Sequence, residues 1–239
     1  MIELNQVTRR FGEKVAVDQM SFTTTPGKLF AFIGPNGAGK TTTIKMMVGL
    51  LRADEGTVTI GGFDTVTQQQ NVAEILGYVP DEPNLYEKLS GRELLEFVAQ
   101  LRSIPDKEID DRIQKQVDYF ELGGFYDQLI ETYSHGMRQR LAFATAVMHD
   151  PKVLIVDEPM VGLDPKSMRL VKDLLRTQAA DGATVFLSTH TLAIVEELAD
   201  QIGVVCHGQL RYYGTRDEIE HELRDSNLSL EEWFLRLTK

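Results

Sequence analysis

Two glycine-bearing stretches of this chain have the composition of anion sites. "GPNGAGKTT", Gly34 to Thr42, fits the spacing G-x-x-x-x-G-K-[ST] with Gly34, Gly39, Lys40 and Thr41 at its fixed positions. Glycine lets backbone N–H groups reach phosphate oxygens with no Cβ in the way, and Pro35, Asn36, Gly37 and Ala38 complete the loop, with Thr42 next in line. Lys40 then reaches the β and γ phosphates of a nucleotide, while the Thr41 hydroxyl is a ligand for Mg²⁺. "YSHGMRQR", from Tyr133, opens a long helical run with Ser134, His135 and Gly136. A helix start presents free N–H groups and the positive end of the dipole, so this turn is a second place to hold an anion.

Acidic chemistry follows in "VLIVDEP". Asp157 ends an apolar run and so stands where a parallel sheet binds ligands, placed to hold a metal through water. Glu158, beside it, projects differently and suits the positioning or deprotonation of an attacking water. His190 ends "TVFLSTH" and is expected at the same sheet edge, within reach of a γ-phosphate. For His149, His207 and His221 a structural role is the expectation.

These groups need a sheet to hold them. "MIELNQVTRRF" and "VAVDQMSFTTT" read as β, with turns at Gly12 and Pro26-Gly27, and "KLFAFIG" reads as a strand buried on both faces that feeds the phosphate loop and a helix. From Ser90 to His149 the spacing becomes helical: Leu94, Leu95, Val98 and Leu101, then Ile109, Ile113, Val117 and Phe120. Strand and helix signals alternate again from "KVLIVDEP" onward, through a hairpin at His207-Gly208, to a final helix carrying Leu230, Trp233, Phe234 and Leu237. The expectation is an α/β P-loop NTPase core with a mainly parallel sheet, an N-terminal antiparallel β subdomain and an inserted helical subdomain. Its bounds are 1–84 and 151–218 for the core, 85–150 for the helical part and 219–239 for a C-terminal tail, all in one domain of 239 residues.

Composition narrows the partners. A formal charge of −11 disfavours nucleic acid, whose phosphates need clustered Lys and Arg. Cys206 is alone, so no disulfide framework forms within the chain; it reads as a small buried residue, and a reducing, intracellular location fits. No apolar run approaches the length of a membrane span.

The phosphate loop, "YSHGMRQR", "LIVDEP" with "MVGLDP", and "STH", in that order, resemble the nucleotide-binding subunit of ABC transporters over nearly the whole chain, with a leaning to bacterial export-type members. The resemblance implies a Mg·ATP-hydrolysing subunit that dimerises head to tail, as a homodimer or heterodimer with a second ATPase subunit. Each ATP lies between one chain's phosphate loop and the other's signature helix, so Ser134 and Gly136 contact a neighbour's nucleotide. It further implies adenine stacking on Phe11, whose alternative is an ordinary strand-core residue, and a place for Asp164 in the loop that crosses the dimer interface. Asp157, Glu158 and His190 take metal, catalytic and switch roles. The implied partner is a separate integral membrane subunit docking near Asp81 to Phe97, with the chain cytoplasmic and peripheral at the inner face of the membrane.

Two residues depart from the family pattern. His135 stands where a glycine is usual. Asp81 stands where glutamine links γ-phosphate and metal to the membrane partner; it is expected to keep a metal or water contact while weakening closure on ATP, or else to cap a turn with Pro80 and Pro83. A different class stays open, an ABC ATPase acting in assembly or regulation without transport, as does a P-loop kinase outside the family.

Overall fold

The computed structural model describes all 239 residues. β1 (Ile2–Phe11) and β2 (Lys14–Thr23) form a hairpin in which Phe11 pairs with Lys14 and Gly12 takes the turn at φ 59°. Ile2 and Leu4 are buried while Glu3 and Asn5 face solvent, the period-2 alternation of a strand covered on one side. β3 (Leu29–Ile33) is buried at every residue and runs through the phosphate loop into α1 (Lys40–Met47). β4 (Glu55–Ile60) pairs antiparallel with β1 and β5 (Phe63–Asp64) pairs with β4, giving a sheet of order β2-β1-β4-β5. α2 (Gln69–Ile75) leads into β6 (Leu76–Val79).

Three helices follow with no named strand between them: α3 (Gly91–Leu101), α4 (Asp106–Tyr119) and α5 (His135–Val147). Ser90 and Glu93 start α3 with a reciprocal capping box, the Glu93 N–H donating to Ser90 Oγ and the Ser90 N–H to Glu93 Oε2. The helical spacing holds at Leu94, Leu95, Ile113, Val117 and Phe120, all buried, but fails at Leu101, which is 70% exposed at the last turn of α3. The chain reverses immediately after it, with Ser103 at φ 54°.

β7 (Val153–Asp157), α6 (Pro165–Ala180), β8 (Thr184–Thr189), α7 (Leu192–Leu198), β9 (Gln201–Cys206) and β10 (Gln209–Thr215) complete the main sheet, of order β10-β9-β3-β8-β7-β6. All its pairings are parallel except the β9–β10 hairpin, which turns at His207 and Gly208, both at positive φ. α8 (Arg216–Ser226) and α9 (Leu230–Leu237) end the chain, and Trp233 of α9 is buried edge-on against Tyr212, ring centroids 4.8 Å apart.

Alternation along β3 divides the interior. Leu29, Ala31 and Ile33 pack with α3 to α7 on one face. Phe30 and Phe32 face α1 and the antiparallel sheet, where they meet Phe22 and Phe186 at centroid separations of 5.2 to 5.8 Å. Both faces of the central strands are thus covered, as a continuous apolar run requires.

Candidate active site

Strand register gathers the motifs. Ile33 pairs with Thr189 and Asp157 with Ser188, so the phosphate loop, the Asp157-Glu158 pair and His190 all emerge at the carboxyl edge of adjacent parallel strands.

The phosphate loop is held by close backbone contacts. Gly39 has φ 109°, and a Cβ there would come within 2.6 Å of the Ala16 carbonyl oxygen. Gly208, in the β9–β10 turn, meets the same carbonyl, where a Cβ would lie at 2.8 Å. Its N–H donates to the Ala38 carbonyl at 2.9 Å and its own carbonyl accepts from the Asp18 N–H at 2.9 Å. Loop, β2 and distal hairpin therefore join at a point that admits no side chain.

Lys40 is nearly buried and its Nζ donates to the Gly34 carbonyl at 2.7 Å. The same Nζ lies 3.5 Å from Glu158 Oε1. Glu158 has φ 47°, a left-handed conformation that turns the chain sharply after β7, and its N–H donates to the Ser188 carbonyl at 3.0 Å. Its other carboxylate oxygen, Oε2, lies 2.9 Å from His190 Nδ1 and accepts from the His190 N–H at 3.3 Å. Glu158 thus bridges the cation of the phosphate loop and the imidazole at the end of β8.

Asp157 is buried, and its Oδ1 has no hydrogen-bond partner. Burial pushes its carboxyl above the usual range, with the charges of Asp81 and Glu158 adding to the shift and the hydroxyls of Ser188 and Thr41 offsetting part of it. Asp81 is raised too, first by burial and then by Glu158 and Glu82, with His135 and His190 acting the other way. An orphaned buried carboxylate oxygen among crowded acids suits a hard divalent cation. No group of three His, Cys, Asp or Glu side chains is arranged to hold a metal alone.

Phe11, Lys14, Asn36, Gly37, Thr41 and Asp81 line one cavity of about 370 Å³ together with Lys40 and Glu158. Phe11 is 50% exposed, which excludes the strand-core alternative, and the Arg9 guanidinium lies 4.9 Å from its ring centroid, tied to Asp54 at 2.6 Å. Sequence reading passed over Lys14, Ala16, Ser188 and Gly208; the hairpin signal at His207-Gly208 hints only at a turn.

Ser134, Gly136 and Asp164 do not line this cavity. Ser134 caps α5, its Oγ accepting from the Met137 N–H at 3.3 Å. Asp164 caps α6 and accepts from the Lys166 and Ser167 N–H groups at 2.9 and 3.1 Å, so within its own chain this carboxylate is occupied by the helix and not by the phosphate-loop cavity.

A strand, glycine loop and helix with Lys40 at the loop, and a carboxylate pair ending the neighbouring strand, define a P-loop nucleotide hydrolase. Comparison with known proteins gives the family. A family model described as ABC transporter matches residues 17–161. An uncharacterized ABC transporter ATP-binding protein, YhcH of Bacillus subtilis, is 39% identical over 88% of this chain and 68% of its own length. Nod factor export ATP-binding protein I of Sinorhizobium fredii is 36% identical over 87% of this chain and 61% of its own, so this chain spans less than two thirds of that relative. A solved ATP-binding subunit of an ABC transporter superposes over 100% of both chains with a TM-score of 0.93 at 30% identity. The chain belongs to the ABC transporter family, as an ATP-binding, ATP-hydrolysing subunit.

Proposed function

We propose that this chain binds Mg·ATP, dimerises head to tail around two nucleotides with a second copy or a related ATPase subunit, and drives substrate movement through a separate integral membrane subunit. The observation that carries it is the convergence of Lys40, Glu158 and His190 within hydrogen-bonding or ion-pair distance at one sheet edge, with Ser134 and Gly136 standing apart from that cavity. In this reading Phe11 stacks on adenine, and Lys40 and the loop N–H groups hold the phosphates. Glu158 takes the proton of the attacking water as His190 fixes its carboxylate. Thr41, Asp157 and Asp81 would hold the cation, which would neutralise charge on the nucleotide's phosphates. Ser134 and Gly136 serve the neighbour's nucleotide, beside its Lys40, and Asp164 lies at the dimer interface.

No helix is long and apolar enough to cross a membrane, which suits attachment to a partner at the inner face of the cell membrane. The Sinorhizobium relative's name favours export. The test is Glu158→Gln. Hydrolysis should fall by about 100-fold or more while ATP binding persists and an ATP-stabilised dimer accumulates on gel filtration. Hydrolysis at the parent's rate would remove Glu158 as the base. Copurification of the chain with a multi-span membrane protein tests the transport half separately.

A further inference from the structure

His135 is the one residue in the Ser134–Gly136 turn to which this reading assigns no role. Ser134 supplies the cap of α5, and a Cβ built on Gly136 would meet nothing within 4 Å. The His135 ring turns instead toward the segment that follows β7. Its Nε2 lies 3.1 Å from the Val161 carbonyl oxygen. That oxygen can only accept, so Nε2 carries the hydrogen. Gly162, next in the chain, has φ 72°, and a Cβ there would come within 3.2 Å of the ring Cδ2 and 3.3 Å of Nε2. The imidazole therefore lies against bare backbone.

Met160 and Leu163 bury their side chains in the main core, and the two residues between them, Val161 and Gly162, form an exposed tip. The internal bonds, from Val161 N–H to the Glu158 carbonyl at 3.3 Å and from Leu163 N–H to the Met160 carbonyl at 3.4 Å, are at the weak end for N–H···O. Attachment on either side of this tip is firm, through the buried Met160 and Leu163, the Glu158 N–H and the Asp164 cap of α6. The His135 bond ties the tip to the helical part of the chain.

We infer that His135 is a positioning residue, which holds the exposed Val161–Gly162 tip, between the core-anchored Met160 and Leu163, at a fixed place relative to the Ser134 turn. One surface then presents the anion-binding turn of α5 and the loop that runs from the catalytic Glu158 to Asp164. Glycine at this position has no side chain to make the tie. The assignment of a catalytic consequence rests on the shared-site reading above; the positional one does not.

The experiment has two arms. In the isolated chain without nucleotide, His135→Ala should speed amide hydrogen exchange at Val161 and Leu163 by about three- to tenfold, the scale of one lost hydrogen bond. His135→Gln, whose amide nitrogen is as many bonds from Cα as Nε2, should restore slow exchange. In steady-state turnover, His135→Ala should lower kcat by about three- to tenfold with KM for ATP within about twofold, because the residues that bind the chain's own ATP are untouched. Unchanged exchange in His135→Ala overturns the positioning role, as does a Gln variant that behaves like the Ala variant. Faster exchange with unchanged kcat overturns the catalytic consequence. A failure of the shared-site reading shows elsewhere, in a Glu158→Gln chain that binds ATP but forms no dimer, and leaves the exchange arm intact.

Discussion

At the scale of single residues, charge crowding decides what Asp81 does. Asp81 lines the phosphate-loop cavity, and its carboxyl is raised first by burial and then by Glu158 and Glu82; when ionised there it would add negative charge beside a bound triphosphate. Asp81→Gln is expected to tighten ATP by about three- to tenfold and to change the Mg²⁺ dependence of hydrolysis. Titration of both in parallel checks this, and identical curves for parent and variant would assign Asp81 to the turn alone. His149 gives a pH prediction far from the site. Its ring is held by the Leu76 carbonyl at 3.2 Å, and burial, with the charge of Arg102, pulls its pKa from 6.5 down to about 4. Between those values the unfolded chain takes a proton that the folded chain refuses, so stability falls as pH drops through that window. With the ring's partial exposure allowed for, the loss is about 2 kcal/mol. Urea midpoints at pH 7 and pH 5 should converge in His149→Gln relative to the parent.

At the scale of elements, the aromatic stack between the two sheets is the feature to test. Phe186 lies 5.4 Å from both Phe30 and Phe32 and is fully buried. Phe186→Ala should cost about 3–5 kcal/mol in urea unfolding, and Phe186→Leu less than about 1.5. An Ala variant within 1 kcal/mol of the parent, a small value on the same ~3–5 kcal/mol scale, would mean the stack collapses around the void. The strands that build this stack were legible because period-2 burial or a continuous apolar run is written locally, as in "KLFAFIG" and "ATVFLSTH". The same holds for the phosphate loop, Asp157, Glu158 and His190, each marked by its place at a strand end. Between α1 and Asp81 the sequence is quieter. β6, four residues long, exists through a distant partner, β7, whereas the two-residue β5 closes a local hairpin on β4 across Gly61-Gly62, a turn signal that sequence reading missed. Leu101 shows the opposite fault, a side chain at helical spacing where the helix has already left the core. Gly208 carries no local sign that it supports Ala38, because that contact is set by tertiary packing alone.

At the scale of the whole molecule, the separation of Lys40 from Ser134 makes a mixing experiment decisive. Lys40→Ala and Ser134→Arg should each abolish hydrolysis as homodimers. Mixed, they should recover up to about one quarter of parent activity, since random pairing gives half heterodimers with one intact composite site each. No recovery, with heterodimers present, would mean that both residues serve the same chain's nucleotide. The junction of Ala16, Gly39 and Gly208 bears on how such a chain comes into being. The phosphate loop leaves the ribosome early, but the glycine whose N–H fastens Ala38 follows about 170 residues later, roughly ten to thirty seconds at ordinary rates of synthesis. Through that interval the loop lacks this fastening, and a nascent chain released before the distal hairpin would carry every nucleotide motif with an unfastened loop.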